Sequence, residues 1–280
     1  MTKNSLDLSG KINLTTIKLY EVINRVAKEL KISYVVVGAT ARDLVLHYGC
    51  GTRIKRATSD VDFGMQVASW EIFEKLTNKL IEHGFQTTKS AHRFIDPQNI
   101  PIDVIPFGAV ENNMSNIQLP PEGIVEMSAL GFQEAQEHAI NVIIQQKPLI
   151  EVRVATSQGL ALLKLVSWSE RDRSERKRDA QDFAYLLETY EKVDVVKERI
   201  YEEEGLMEQY DWDLSLASAH MLGVDAVAIS QETTKQHINT ILEKNLNIKD
   251  LNIFVEEMCE HQEYEEKLSL LKAFANGFKA

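Results

Sequence analysis

Two patterns of apolar and polar positions divide the chain near residue 155. Before it, short β-branched runs alternate with amphipathic stretches; after it, the period is helical throughout. Residues 12–31 place Ile17, Val22, Ile23, Val26 and Leu30 on one helical face. Tyr34-Val35-Val36-Val37 is a continuous apolar run, which reads as a buried strand, and Gly38 ends it. A helix is expected from about Thr40 through His47, then a polar loop over Tyr48–Ser59. Asp60–Val67 reads as a strand and Trp70–His83 as an amphipathic helix with Trp70, Phe73, Leu76, Leu80 and Ile81 inward and Gly84 as its cap. Phe85–Lys89 and His92–Ile95 look like the arms of a hairpin, and Ile100–Phe107 is a further strand. Residues 108–137 are poorly patterned, with turns expected at Asn112-Asn113 and Pro120-Pro121-Glu122-Gly123. Ala139–Gln145 and Leu149–Val154 read as a closing hairpin.

From Thr156 the helical candidates are Thr156–Trp168, Arg173–Thr189, Val193–Glu204, Leu214–Leu222, Thr233–Asn245, Ile248–Cys259 and Tyr264–Phe278. The expected fold class is α/β (α+β): a small mixed sheet flanked by helices over residues 1–155, then an all-helical domain over 156–280.

Composition narrows the function class. With 280 residues and 44% hydrophobic content, a sizeable core or two is within reach. No run approaches the ~20 apolar residues of a membrane helix, so no membrane partner is expected. MTKNSLDLSG lacks the apolar core of a signal peptide, and the two cysteines, Cys50 and Cys259, suggest neither a disulfide framework nor a zinc site; a cytoplasmic setting is expected. Net charge is −11, which argues against a generic nucleic-acid coat. Its distribution matters more: residues 190–280 hold 9 Lys/Arg against 19 Asp/Glu, whereas residues 1–189 hold 22 against 23. The first two thirds are near neutral and have room for a local basic patch, such as Arg53, Lys55 and Arg56 in the loop before Asp60.

Three carboxylates sit inside apolar, β-branched runs: Asp60 and Asp62 flank Val61, and Asp103 lies between Ile102 and Val104. Residues two apart on a strand share a side, so Asp60 and Asp62 project together, and Asp103 can join them from a neighbouring strand. Carboxylates crowded on a sheet edge repel one another and lose solvation, a penalty that an oxygen-liganded divalent cation removes. An Asp-x-Asp pair alone is more often a turn or a solvated face. Here the third Asp and the upstream strand–Gly38–helix turn, with backbone N–H groups aimed at an anion, shift the balance towards a site. Neither GxSxG nor GxxxxGK[ST] occurs, which removes serine-hydrolase and P-loop readings.

The order GATAR, SDVDF, IDVIPF resembles the nucleotidyltransferase superfamily with the polymerase-β-like minimal fold. The segment LLKLVSWSERDRSERKRDAQDFAYLL (162–187) is similar to the later motifs of the AbiEii/AbiGii-type toxins of type IV toxin–antitoxin and phage-defence systems. The resemblance covers roughly residues 30–190. It departs from the family pattern in having Gly38-Ala39 where Gly-Ser or Gly-Gly is usual, and in a Gly38–Asp60 spacing lengthened by the basic loop.

The resemblance implies Mg²⁺ or Mn²⁺ on Asp60, Asp62 and Asp103, and an NTP held through Gly38, Ala39, Thr40, Arg42, Ser59, Lys164 and Asp182. It also implies catalytic roles for Lys164 and Asp179 beside the three carboxylates. The expected reaction moves a nucleoside monophosphate from an NTP to a hydroxyl, for which an RNA or tRNA end is the favoured acceptor and a cognate antitoxin the expected partner. Two other readings stay open: a small-molecule nucleotidyltransferase of aminoglycoside-modifying type, which the acidic C-terminal third would suit, and a non-catalytic nucleotide- or partner-binding protein.

Overall fold

In the computed structural model the described residues are 5–54, 58, 60–119, 126–247 and 252–280. Lys55, Arg56 and Ser59, the turn at Pro120–Gly123 and the start of the helix expected from Ile248 lie outside them. The chain divides into two compact units, Met1–Thr156 and Ser157–Ala280.

The first unit runs β1 (Ser5–Asp7), α1 (Leu14–Leu30), β2 (Ser33–Val37), α2 (Gly38–Arg42), β3 (Val61–Val67), α3 (Trp70–Glu82), β4 (Gln86–Thr87), β5 (Arg93–Ile95), β6 (Pro101–Gly108), β7 (Asn116–Gln118), β8 (Glu126–Ser128), α4 (Phe132–Glu137), β9 (Ile140–Gln145) and β10 (Ile150–Val154). Eight strands form one mixed sheet in the order β1-β9-β10-β2-β3-β6-β5-β4. β3 and β6 are parallel, while β2 meets β3, and β5 meets β6, in antiparallel register.

The central strands are apolar on both sides because both faces are covered. On one, Tyr20 of α1 meets the Phe63 ring edge-on at 6.2 Å. On the other, Phe132 of α4 stacks on Phe107 at 5.7 Å and lies so close to Gly64 that an added Cβ would meet its ring at 2.6 Å. The helix caps follow from sequence: Asn13 and Ser69 accept from Thr16 N and Ile72 N, and Lys31 closes α1 at φ 54°.

The sequence reading and the structure diverge at several places, and Ile81, expected on the inner face of α3, is exposed. The helix expected from Thr40 begins at Gly38 and passes at Asp43 into a π-helix that ends at Gly49. The patternless 108–137 stretch holds the β7–β8 ribbon and α4. β1, three residues long, adds an edge strand parallel to β9. Its pattern is too short to register as a period. The hairpin arms are shorter than expected, reduced to β4 and β5.

The second unit is helical: α5 (Ser157–Glu170), α6 (Arg173–Thr189), α7 (Asp194–Glu202), α8 (Leu206–Gln209), α9 (Leu214–Ile229), α10 (Glu232–Leu246), α11 (Ile253–Met258) and α12 (Tyr264–Phe278). α9 runs a full two turns past its expected end because its apolar face continues through Ala226. An aromatic chain forms the core: Trp168 and Phe254 lie 4.3 Å apart, Phe183 meets Phe254 at 5.7 Å and Phe274 at 5.1 Å. α9 and α12 cross through a pair of glycines. A Cβ on Gly223 would meet the Phe274 carbonyl oxygen at 2.1 Å, and one on Gly277 would meet that of His220 at 2.0 Å. No described helix is long and apolar enough to cross a membrane.

Candidate active site

Register builds the site. Asp62 on β3 is paired with Val37 on β2 and Asp103 on β6, and Asp103 is paired with Arg93 on β5. Directly opposed residues in a sheet put their side chains on one face. Asp62, Asp103 and Arg93 therefore form a row across three strands, at the edge where β2 ends and β3 and β6 begin. Asp60, two positions before Asp62, falls on the same side.

Asp60, Asp62 and Asp103 each offer an oxygen within 4.8 Å of the others, and all three are half-buried. Among the described residues they are the group of three or more His, Cys, Asp or Glu that meets this spacing. Hard carboxylate oxygens, partly open to water, suit Mg²⁺ or Mn²⁺, which keep positions for water and phosphate; the residues present fit such an ion.

Three further contacts hold the row. The Thr58 hydroxyl donates to Asp60 Oδ1 at 2.7 Å, and the Thr40 hydroxyl to the Asp60 carbonyl at 2.8 Å. Gly38 sits at φ +69°, where a Cβ would lie 1.8 Å from Asp62 Oδ2. Only glycine combines that left-handed backbone with an approach this close to the carboxylate. The α2 start and the metal-ligand candidates are thus one structural piece.

Arg93 is the residue that sequence reasoning missed. Its Nε donates to Asp103 Oδ1 at 2.8 Å, and its Nη2 to Asp60 Oδ2 at 3.0 Å and Asp103 Oδ2 at 3.2 Å. Partial burial disfavours its charge, but the carboxylates of Asp103, Asp60 and Asp62 outweigh that and leave its pKa raised. A cation next to Phe94 and Ile95 in the expected hairpin arm was the available signal. Its meaning depended on the β5–β6 register, which no local pattern carries.

The other expected ligands are placed as follows. Ala39 is buried in the first turn of α2. Arg42 is 3% exposed, and both its Nε and Nη2 donate to Asp43 Oδ1, at 2.9 and 2.7 Å. Lys164, Asp179 and Asp182 lie in the second unit and form their own cluster. Lys164 Nζ is 2.9 Å from Asp179 Oδ1 and 2.8 Å from Asp182 Oδ2, and Asp179 Oδ2 takes Arg171 Nη1 at 2.9 Å. Asp179 and Asp182, three apart on α6, share the face turned to α5. Burial opposes the Lys164 charge, and the two carboxylates more than restore it, so its pKa is raised.

One cleft of about 640 Å³ opens elsewhere on the first unit, lined by Asn24, Lys28, Gln66, Gln133, Gln136 and Arg153. Ser33, paired with Gln66 at the end of β2 and β3 away from the carboxylates, borders it too.

Several solved structures resemble this chain. The antibiotic-resistance factor ANT(2'')-Ia shares 14% identity at a TM-score of 0.36, covering 71% of this chain and 98% of its own. The Thermotoga maritima CCA-adding enzyme, solved with tRNA, shares 12% at a TM-score of 0.26, covering 97% and 84%. A CCA-adding enzyme in complex with ATP shares 13% at 0.26, covering 92% and 66%. No curated protein sequence matches. The family described as nucleotidyl transferase AbiEii toxin, type IV toxin–antitoxin system, matches residues 21–270. With nearly the whole chain matched, and with the strand–Gly38–helix turn and the Asp60/Asp62/Asp103 row in place, this protein belongs to the AbiEii family of nucleotidyltransferases.

Proposed function

We propose that this cytoplasmic enzyme uses Mg²⁺ or Mn²⁺ on Asp60, Asp62 and Asp103 to move a nucleoside monophosphate from an NTP to the hydroxyl of an RNA end, tRNA being the favoured case. The observation that carries the metal reading is the convergence of three carboxylates at the edge where the Gly38 turn begins a helix.

The chemistry follows from that placement. The acceptor oxygen attacks the α-phosphorus, the bond to the β-phosphate bridging oxygen breaks, and pyrophosphate leaves with that electron pair. When bound, the cation lowers the charge on the attacking oxygen and on the departing pyrophosphate. Asp103 stands as the proton acceptor for the attacking hydroxyl. The turn at Gly38, Ala39 and Thr40 presents backbone N–H groups to the phosphates. Lys164, Asp179 and Asp182 enter on the family resemblance, as does a cognate antitoxin, and Ser59 and Arg42 as nucleotide contacts.

The RNA acceptor enters on the family resemblance, and the near-neutral charge of residues 1–189 permits it. The acidity of residues 190–280 favours, as a second reading, a cationic small molecule. The test uses α-labelled NTPs with total RNA, a polycationic aminoglycoside and cell lysate as separate acceptors. Label is expected on RNA, to be lost with EDTA and reduced more than about a hundredfold in Asp62→Asn, since even outer-shell partners of metal ligands are worth ten- to a hundredfold. Label on the aminoglycoside alone would overturn the RNA reading, and turnover unaffected by EDTA would overturn the metal.

A further inference from the structure

The inference concerns Arg93 and rests on the metal reading above. The Arg93 guanidinium does not merely sit near the carboxylates; it donates to oxygens of two of the three. It holds Asp103 by both oxygens and Asp60 by Oδ2, within 2.8–3.2 Å. The oxygens of this group are the ones close enough together to share one cation. A carboxylate oxygen directed at a guanidinium has its lone pairs engaged along that line. Two cations of opposite design, one covalently attached and one free, thus compete for the charge and part of the lone-pair capacity of the same carboxylates.

We propose that Arg93 is a built-in competitor of the divalent cation: it keeps Asp60 and Asp103 assembled and must be exchanged off them when the ion binds. Three features make the exchange workable. The guanidinium is on β5, next to the sheet edge rather than in its centre, so its side chain has somewhere to go. Its side chain is 40% exposed, and the Asp60 side chain is 37% exposed, so neither is sealed in. The backbone pairing of Arg93 with Asp103 tethers the group, so it returns to the same oxygens when the ion leaves. Arg93 is therefore a positioning residue that sets the concentration of cation at which the site fills. It protects a row of like charges from mutual repulsion without closing it permanently.

The competition makes a prediction that a structural role alone does not. Losing a buttress weakens metal binding; losing a competitor strengthens it. Mn²⁺ affinity would be measured by titration calorimetry, and by the thermal shift Mn²⁺ produces, for the wild type and for Arg93→Gln, Arg93→Lys and Asp62→Asn. Arg93→Gln is expected to bind Mn²⁺ about tenfold more tightly, the scale of a neighbouring charge changing an equilibrium by one decade. Its melting temperature in EDTA should fall, and Mn²⁺ should raise it by more than in the wild type. Arg93→Lys, which keeps the charge but not the forked geometry, should fall between the two and serves where Arg93→Gln folds poorly. Equal or weaker Mn²⁺ binding in both Arg93 variants, with wild-type binding that Asp62→Asn abolishes, overturns the competition and leaves the metal site standing. Absence of Asp62-dependent Mn²⁺ binding in the wild type overturns the metal reading and this inference together.

Discussion

Gly38→Ala separates two consequences of one methyl group. At φ +69° an L-residue is strained, and the new Cβ would lie 1.8 Å from Asp62 Oδ2, 2.8 Å from its Cγ and 3.2 Å from its Cβ. Real contacts of that kind essentially never fall below 3.0 Å, so the Asp62 oxygen must retreat by at least 1.2 Å. Rotating Asp62 about its own bonds is the only cheap retreat, and it turns the carboxylate away from Asp60 and Asp103. The backbone strain costs about 1–3 kcal/mol. A displacement of about 1 Å at a reacting centre costs about a hundredfold in rate.

Gly10→Ala is the matched control: φ is +79°, and nothing lies within 4 Å of the added Cβ. Both variants should lose similar stability by circular-dichroism melting. Only Gly38→Ala should lose transfer of labelled NMP by about a hundredfold. If Gly38→Ala kept more than a few tenths of wild-type transfer while melting like Gly10→Ala, the claim that this turn and Asp62 are one geometric unit would be wrong.

Other outcomes follow from the second unit. Asp179→Ala leaves Lys164 with Asp182 as its remaining carboxylate, and since the Asp179 side chain is 1% exposed, it should destabilise by about 1–3 kcal/mol in urea titration. The pKa of Lys164 lies above the ordinary 10.5, so its ammonium stabilises the fold fully below that pH and loses its effect only as pH rises through the raised value. Lys164→Met should lower stability at neutral pH and flatten the alkaline limb of a stability–pH curve; an unchanged limb would place its cause elsewhere. Gly223→Ala drives a Cβ to 2.1 Å from the Phe274 carbonyl, and should destabilise by about 1–3 kcal/mol or more on melting, despite the ~1 kcal/mol that alanine gains in a free helix.

Much of the first unit was legible because its signals are local. β-Branched runs gave the central strands, an apolar stripe and Gly84 marked α3 and its end, and the spacing of Asp60 and Asp62 gave their common side. α6 and α12 start and stop where the apolar period does, at Arg173–Thr189 and Tyr264–Phe278. What stayed hidden depends on non-local pairing. β1 is three residues whose identity as a strand comes from β9, and β7–β8 have a pattern only as a pair. Arg93 belongs with Asp103 by register, not by spacing. The turn at Gly38 could be read as backbone permissiveness, but the reason for it, the carboxylate of Asp62 filling the space a Cβ would need, lies on another strand.

The strand order carries a consequence for how the enzyme comes into being. β6 is made after β3 and β5 yet lies between them. Before it inserts, Asp60 and Asp62 have no third carboxylate, and Arg93 has no Asp103 to pair with. The parallel join of β3 to β6 also has to close over α3 and the β4–β5 hairpin, an entropic cost met late in folding. A partly folded chain therefore presents the acidic pair without the site. The carboxylate row is thus complete only once β6, made after both of its neighbours, is paired between them.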